Sequence, residues 1–237
     1  GLAWDQAITA FGIASKAIAN LARLSPAPLA TKARGAEIVA ANYDQHLELL
    51  RGCDLVIEAI AERMDWKHDL YRKIAPHLAP HAILASNTSG LPIMDLAKGL
   101  PDAMHGRFCG VHFFNPPRYM HLAELIPIAQ TAPAVLQGLE AFLTSTLGKG
   151  VVTARDTPNF IGNRIGVFSI LSTMHHTQAY GLGFDVVDAL TGPAIGRPRS
   201  ATYRTADVVG LDTMGHVIPR LFSLFAHPVF CNTEYCI

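Results

Sequence analysis

The 237 residues are half apolar and carry 19 Lys plus Arg against 19 Asp plus Glu, so the chain can bury a substantial core and has no net charge to draw it to nucleic acid or an anionic membrane. No basic run interleaved with aromatics suggests RNA binding, no apolar run reaches spanning length, and the N-terminus lacks the pattern of a signal peptide, which predicts a soluble, cytoplasmic protein with no nucleic-acid partner and no membrane span. The four cysteines do not form a disulfide framework: Cys53 and Cys109 read as small buried hydrophobes, Cys231 and Cys236 lack a second pair or a nearby His, the adjacent His175 and His176 would leave a helix about 100° apart, and no metal is expected.

Leu2, Ile8, Phe11, Ile18, Leu21 and Leu24 recur at mixed helical spacing and predict one or two helices, stopped by Ser25-Pro26-Ala27-Pro28. Glu37 to Asn42 has the composition of a short strand, and Asp44 is placed to cap a helix through Leu50. The nearly unbroken apolar run Leu55 to Ile60 predicts a strand buried on both faces of a parallel sheet, with Asp65 to His77 as its crossover helix. A second unit follows: a strand at His81 to Ala85, a polar loop at Ser86 to Ser89 and a short helix at Leu91 to Lys98. Strands alternating with helices argue a doubly wound parallel sheet with ligands at the carboxyl ends of its strands, where Glu62 and Ser86 to Ser89 lie.

Further on, Pro133 to Leu147 reads as a helix and Gly150 to Thr153 as a last strand. Helical patterns then occupy Phe160 to Tyr180, Asp185 to Leu190 and Ala201 to Val209. The fold class is therefore α/β: a doubly wound sheet over residues 1–155, followed by a smaller all-helical domain over 156–218. From 219 to 237 the chain changes character again and is expected to be an unrelated or poorly ordered tail.

Between the second unit and the helix at Pro133, two apolar runs, Phe108 to Phe114 and Leu122 to Ile128, flank a proline-broken middle, the pattern of two strands and a loop. His112 and Glu124 occupy mirror positions about Arg118, so a hairpin-like return would set imidazole beside carboxylate. Histidine titrates near neutrality, and a carboxylate on its far nitrogen would fix its tautomer and stabilise the imidazolium. A satisfied core histidine and a strand-end charge remain the ordinary alternative for such a pair.

The run His112-Phe113-Phe114-Asn115-Pro116 followed by Glu124 resembles the catalytic signature of the NAD-dependent 3-hydroxyacyl-CoA dehydrogenases of fatty-acid β-oxidation. Three more stretches resemble that family in the same order: Asp54 to Glu62, Ala85 to Ser89 and Asp156 to Arg164, with likeness running from about Gly12 to Ile218. The resemblance implies NAD as cofactor and an acyl-CoA substrate, with oxidation of 3-hydroxyacyl-CoA to 3-ketoacyl-CoA. His112 then matches the base, Glu124 the residue that orients it, and Ser89 and Asn163 the residues that hold the substrate oxygens in a cleft between sheet and helices. Glu62, Lys67, Ser89 and Asn115 match positions near the cofactor's ribose and nicotinamide end. Glu62 and Lys67 could equally be a dipole partner and a solvated charge, and Asn115 ordinary turn chemistry. A homodimer through the helical domain, or fusion to further β-oxidation domains in a longer parent chain, is also implied.

One departure stands out. The chain has no Gly-x-Gly-x-x-Gly turn of the kind that grips a dinucleotide pyrophosphate; Gly181-Leu182-Gly183 lacks the third glycine and reads as a helix stop. The resemblance begins after the family's second strand, which implies that the sheet over 1–155 is a partial doubly wound Rossmann-like one, in a truncated NAD-binding domain with an incomplete helical domain after it, so a truncated member or a piece of a multifunctional protein is expected. An alternative of another class is a catalytically dead remnant or acyl-CoA-binding module that cannot hold NAD.

Overall fold

Alternation along five strands decides which side chains meet which layer. The computed structural model describes residues 12–210, and the expectations for 1–11 and for the tail from 219 lie outside that range. Strands β1 (Leu55–Glu58), β2 (Ile83–Ser86), β3 (Phe108–Phe113), β4 (Leu122–Pro127) and β5 (Gly150–Thr153) form one sheet in that order. Pairing is parallel from β1 to β3 and between β4 and β5, and antiparallel between β3 and β4. The sheet is thus mixed rather than wholly parallel, because β3 returns through a short turn that leaves no room for a crossover.

Side chains point alternately to the two faces. Leu84, Phe108 and Ile126 face helices α2 (Met64–Ile74) and α3 (Ile93–Ala97) and pack on Leu70, Tyr71, Ile74, Ile93 and Leu96. Ala85, Cys109, Val111 and Leu125 face the other way, onto Leu139 of α4 (Pro133–Ala141) and Leu143 of the π-helical turn Phe142–Thr146. Each large side chain so buried contributes about 1.5–3 kcal/mol. Gly110 is required in the first layer, since a Cβ there would lie 2.7 Å from Ile93 Cδ1. By the same parity His112 and Glu124 fall on the α2/α3 face, near the end of the sheet where β1, β2 and β3 finish.

Helix α5 (Gly162–Tyr180) stops at Gly181, whose φ of 64° and amide bond to the Gln178 carbonyl fulfil the helix-stop reading of that glycine pair. Helices α6 (Phe184–Thr191) and α7 (Tyr203–Val209) are tied by Asp188, whose carboxylate accepts the amides of Thr202, Tyr203 and Arg204. Near the start, α1 (Gly12–Leu21) occupies one predicted helical stretch. No helix among the described residues is long and apolar enough to cross a membrane.

Several local expectations fail for identifiable reasons. The predicted strand at Glu37 to Asn42 is absent: a 3-10 helix covers Lys32–Glu37, and Ile38 and Val39 are exposed with no strand among the described residues to pair them. Asp44 caps nothing. Asn42 Oδ1 accepts the Asp44 and Gln45 amides, the Asp44 carboxylate pairs with Lys73, and the following element is a 3-10 helix, Leu47–Gly52. Strand β1 ends at Glu58 instead of Ile60 and is an edge strand, so Ile57 is 40% exposed rather than buried on both faces. The helix from Pro133 loosens into its π turn from Phe142.

Candidate active site

The register pairs His112 directly with Glu124, and His112 Nδ1 lies 2.7 Å from Glu124 Oε2. Both are buried, His112 at 3% exposure, and the imidazole is flanked by the Phe114 and Phe160 rings at 4.5 and 5.8 Å between centroids. With Nδ1 donating to the carboxylate, Nε2 is left as the proton acceptor. The other carboxylate oxygen, Glu124 Oε1, accepts the Ile161 and Gly162 amides at 2.9 and 2.8 Å, at the start of α5. Burial by itself would push the Glu124 carboxyl up; the His112 hydrogen bond and the Gly162 and Ile161 amides more than offset this and hold it below the usual glutamate range. The geometry therefore keeps an anion beside a histidine that can take up a proton.

Two loops at the ends of β1 and β2 border this pair. Asn87 Oδ1 accepts the Phe113 amide, which ties the β2 loop to β3. Glu62 Oε1 accepts the Thr88 hydroxyl at 2.6 Å and the Ser89 and Gly90 amides at 2.9 and 3.1 Å, so Glu62 shapes the loop that presents Ser89. The Ser89 side chain is exposed, and Asn163, in the first turn of α5, donates its amide to the Ser89 carbonyl at 3.3 Å. Sheet-borne Ser89 and helix-borne Asn163 thus meet at the Ser89 carbonyl. Asn115 is exposed on the β3–β4 turn and makes no hydrogen bond or ion pair to the other site residues among those described.

Lys67, expected near a cofactor or as a solvated charge, is not a solvated charge: it is fully buried, with Nζ 2.6 Å from Glu58 Oε1 and 3.9 Å from Glu62 Oε2. Glu58 also accepts the Tyr71 and Ser86 hydroxyls and the Ile60 amide, so the ammonium neutralises a carboxylate hub inside the fold. The sequence reading missed this hub. A lone carboxylate in an otherwise apolar strand, with a lysine at the start of the next helix, was the available signal. It also missed Asp156, whose two oxygens accept the Ile93 and Met94 amides and start α3 from 62 residues away. No group of His, Cys, Asp and Glu among the described residues is arranged to hold a metal. The Cys109 thiol is pushed up to about 12 by burial, in keeping with a packing role.

Comparison with known proteins points the same way as these residues. A profile described as "3-hydroxyacyl-CoA dehydrogenase, NAD binding domain" matches residues 5–157. A probable 3-hydroxyacyl-CoA dehydrogenase of Bacillus subtilis is 41% identical over 240 residues, covering 98% of this chain and 30% of that protein. One of Deinococcus radiodurans is 44% identical over 205 residues, covering 86% of this chain and 59% of that protein. The chain therefore spans less than two thirds of either relative, 30% of the first and 59% of the second. The crystal structure of (S)-3-hydroxybutyryl-CoA dehydrogenase from Ralstonia eutropha superposes with a TM-score of 0.78 at 32% identity, over 93% of this chain and 76% of that one.

Proposed function

Since the chain belongs to the 3-hydroxyacyl-CoA dehydrogenase family, we propose that it interconverts 3-hydroxyacyl-CoA and 3-ketoacyl-CoA with NAD, in fatty-acid β-oxidation. The observation that carries this reading is the buried 2.7 Å bond between His112 Nδ1 and Glu124 Oε2.

In the oxidation direction His112 Nε2 takes the proton of the C3 hydroxyl while the O–H electron pair becomes the second C–O bond. Glu124 stays ionised and stabilises the imidazolium, so its part is electrostatic rather than proton-accepting. The Ser89 hydroxyl and the Asn163 amide hold the substrate oxygens and fix C3 beside the base. NAD, when bound, supplies the acceptor for the hydride leaving C3. The Glu62 carboxylate, whose side chain is 37% exposed, the Lys67 ammonium beside it, the exposed Ser89 hydroxyl and the exposed Asn115 amide would hold its ribose and nicotinamide end. We extend the reading to a homodimer through the helical part, where Ile165, Leu190 and Val208 leave apolar surface exposed.

The test is a chimera in which these residues replace the matched segment of the Deinococcus radiodurans relative, assayed beside the 237-residue chain with 3-hydroxybutyryl-CoA and NAD. His112→Asn in the chimera should lower turnover by about 10²–10⁴ with little change in substrate binding; turnover within about twofold of the parent overturns the assignment. A parent chimera that binds the thioester but turns nothing over would instead identify an acyl-CoA-binding module.

A further inference from the structure

Asn159 and Phe160 are consecutive buried residues in left-handed backbone, with φ of 60° and 46°. A bulky non-glycine residue adopts that conformation only where its surroundings impose it. Three contacts from this turn converge on the acid–base pair. The Phe160 ring lies against the His112 imidazole. The Ile161 and Gly162 amides both close on Glu124 Oε1. Gly162 also approaches Phe114 so tightly that a Cβ would lie 2.4 Å from its Cζ, and Phe114 is the other ring against His112, tilted by 53°.

We propose that the Asn159–Gly162 turn is a latch for His112, with Asn159, Phe160 and Gly162 as positioning residues that fix the plane of Glu124 and so the tautomer and orientation of the base. The inference deepens the dehydrogenase reading but does not need turnover to be tested. A carboxylate anchored through one oxygen only can rotate, and the imidazole rotates with it. Two amides on Oε1 remove that freedom. They also bring the positive end of α5 to the carboxylate, which favours its ionised form. Glu124 is the only carboxylate paired with His112 among the described residues. Releasing the latch therefore frees the carboxylate plane, and with it the imidazole, to turn. Because Asn163 sits in the first turn of the same helix, a ligand held by Asn163 acts on the base through these amides.

The experiment is NMR of the His112 ring nitrogens at alkaline pH in the 237-residue chain, comparing Gly162→Ala with Gly166→Ala. A Cβ at Gly166, one turn later, meets nothing within 4 Å. The parent and Gly166→Ala should show one set of signals with the proton on Nδ1, and Gly162→Ala a mixture of tautomers or a doubled set. A single Nδ1–H set in Gly162→Ala, the same as in Gly166→Ala, overturns the latch. Should Gly162→Ala fail to fold, Phe160→Leu, which takes the ring off the imidazole, should give the same mixture, and a single Nδ1–H set there overturns the proposal. These spectra are read without any assay of dehydrogenase activity, so an inactive chain and a failed latch give different results.

Discussion

His112 and Glu124 stand opposite each other across β3 and β4, and the carboxylate between the imidazole and α5 is shared by both. Replacing Glu124 with Gln keeps the shape and removes the charge. In the chimera this should lower kcat by about 10²-fold or more at every pH, because the imidazolium formed in the reaction loses its counter-ion. A pH–rate series with no loss at any pH would refute the electrostatic role.

The same carboxylate links stability to pH. Glu124 is held below its ordinary range in the folded chain, so between the folded and unfolded values the unfolded chain binds more protons and stability rises with pH. Its contribution is full above the ordinary glutamate value of about 4.3 and is lost as pH falls through the lowered one. Urea midpoints measured from about pH 6 downward should fall more steeply for the parent than for Glu124→Gln, and parallel curves would deny the linkage.

Lys67 gives the largest expected stability effect. Lys67→Met leaves the Glu58 carboxylate buried without its ammonium and should cost about 3–5 kcal/mol in urea unfolding. Adding Glu58→Gln, which still accepts from Tyr71 and Ser86, should recover a substantial part of that loss. A double variant no better than Lys67→Met would show that the charge pair is not the cause.

Asp156→Ala removes the acceptor of the Ile93 and Met94 amides and should destabilise by about 0.5–2 kcal/mol, the usual cost of losing a helix cap. Hydrogen exchange at those two amides should rise first, and unchanged protection there would contradict the assignment.

The site was legible where chemistry and local pattern coincide. Mirror spacing about Arg118 placed His112 against Glu124 because an antiparallel return fixes opposite partners by sequence distance alone. Ser89 and Asn163 came from motif likeness, and the structure brings them together through an amide–carbonyl bond. What escaped were contacts between segments remote in the chain: Glu62 on the Ser89 loop, Asp156 on α3, Glu124 on α5. No periodicity encodes these, since one carboxylate capping a distant backbone leaves no local trace. The missed edge of β1 is of the same kind. Leu55 to Ile60 has the composition of an interior strand, but neighbours, not composition, decide whether Ile57 is covered.

The sealed pair of Glu58 and Lys67 has a consequence for which arrangements of the chain are permitted. Sliding α2 along the sheet by one turn displaces its side chains by about 5.4 Å. An apolar contact would survive such a slip with modest loss, whereas the slipped ammonium and carboxylate would each be bare in the interior. The pair thus discriminates among alignments: its net worth in the native packing can be small while every shifted packing is penalised by several kcal/mol. A Met-Met replacement at 58 and 67 should accordingly keep much of the stability yet let α2 occupy more than one alignment, visible as duplicated amide resonances in that helix. A single sharp set of resonances would show that the surrounding apolar packing already suffices to choose.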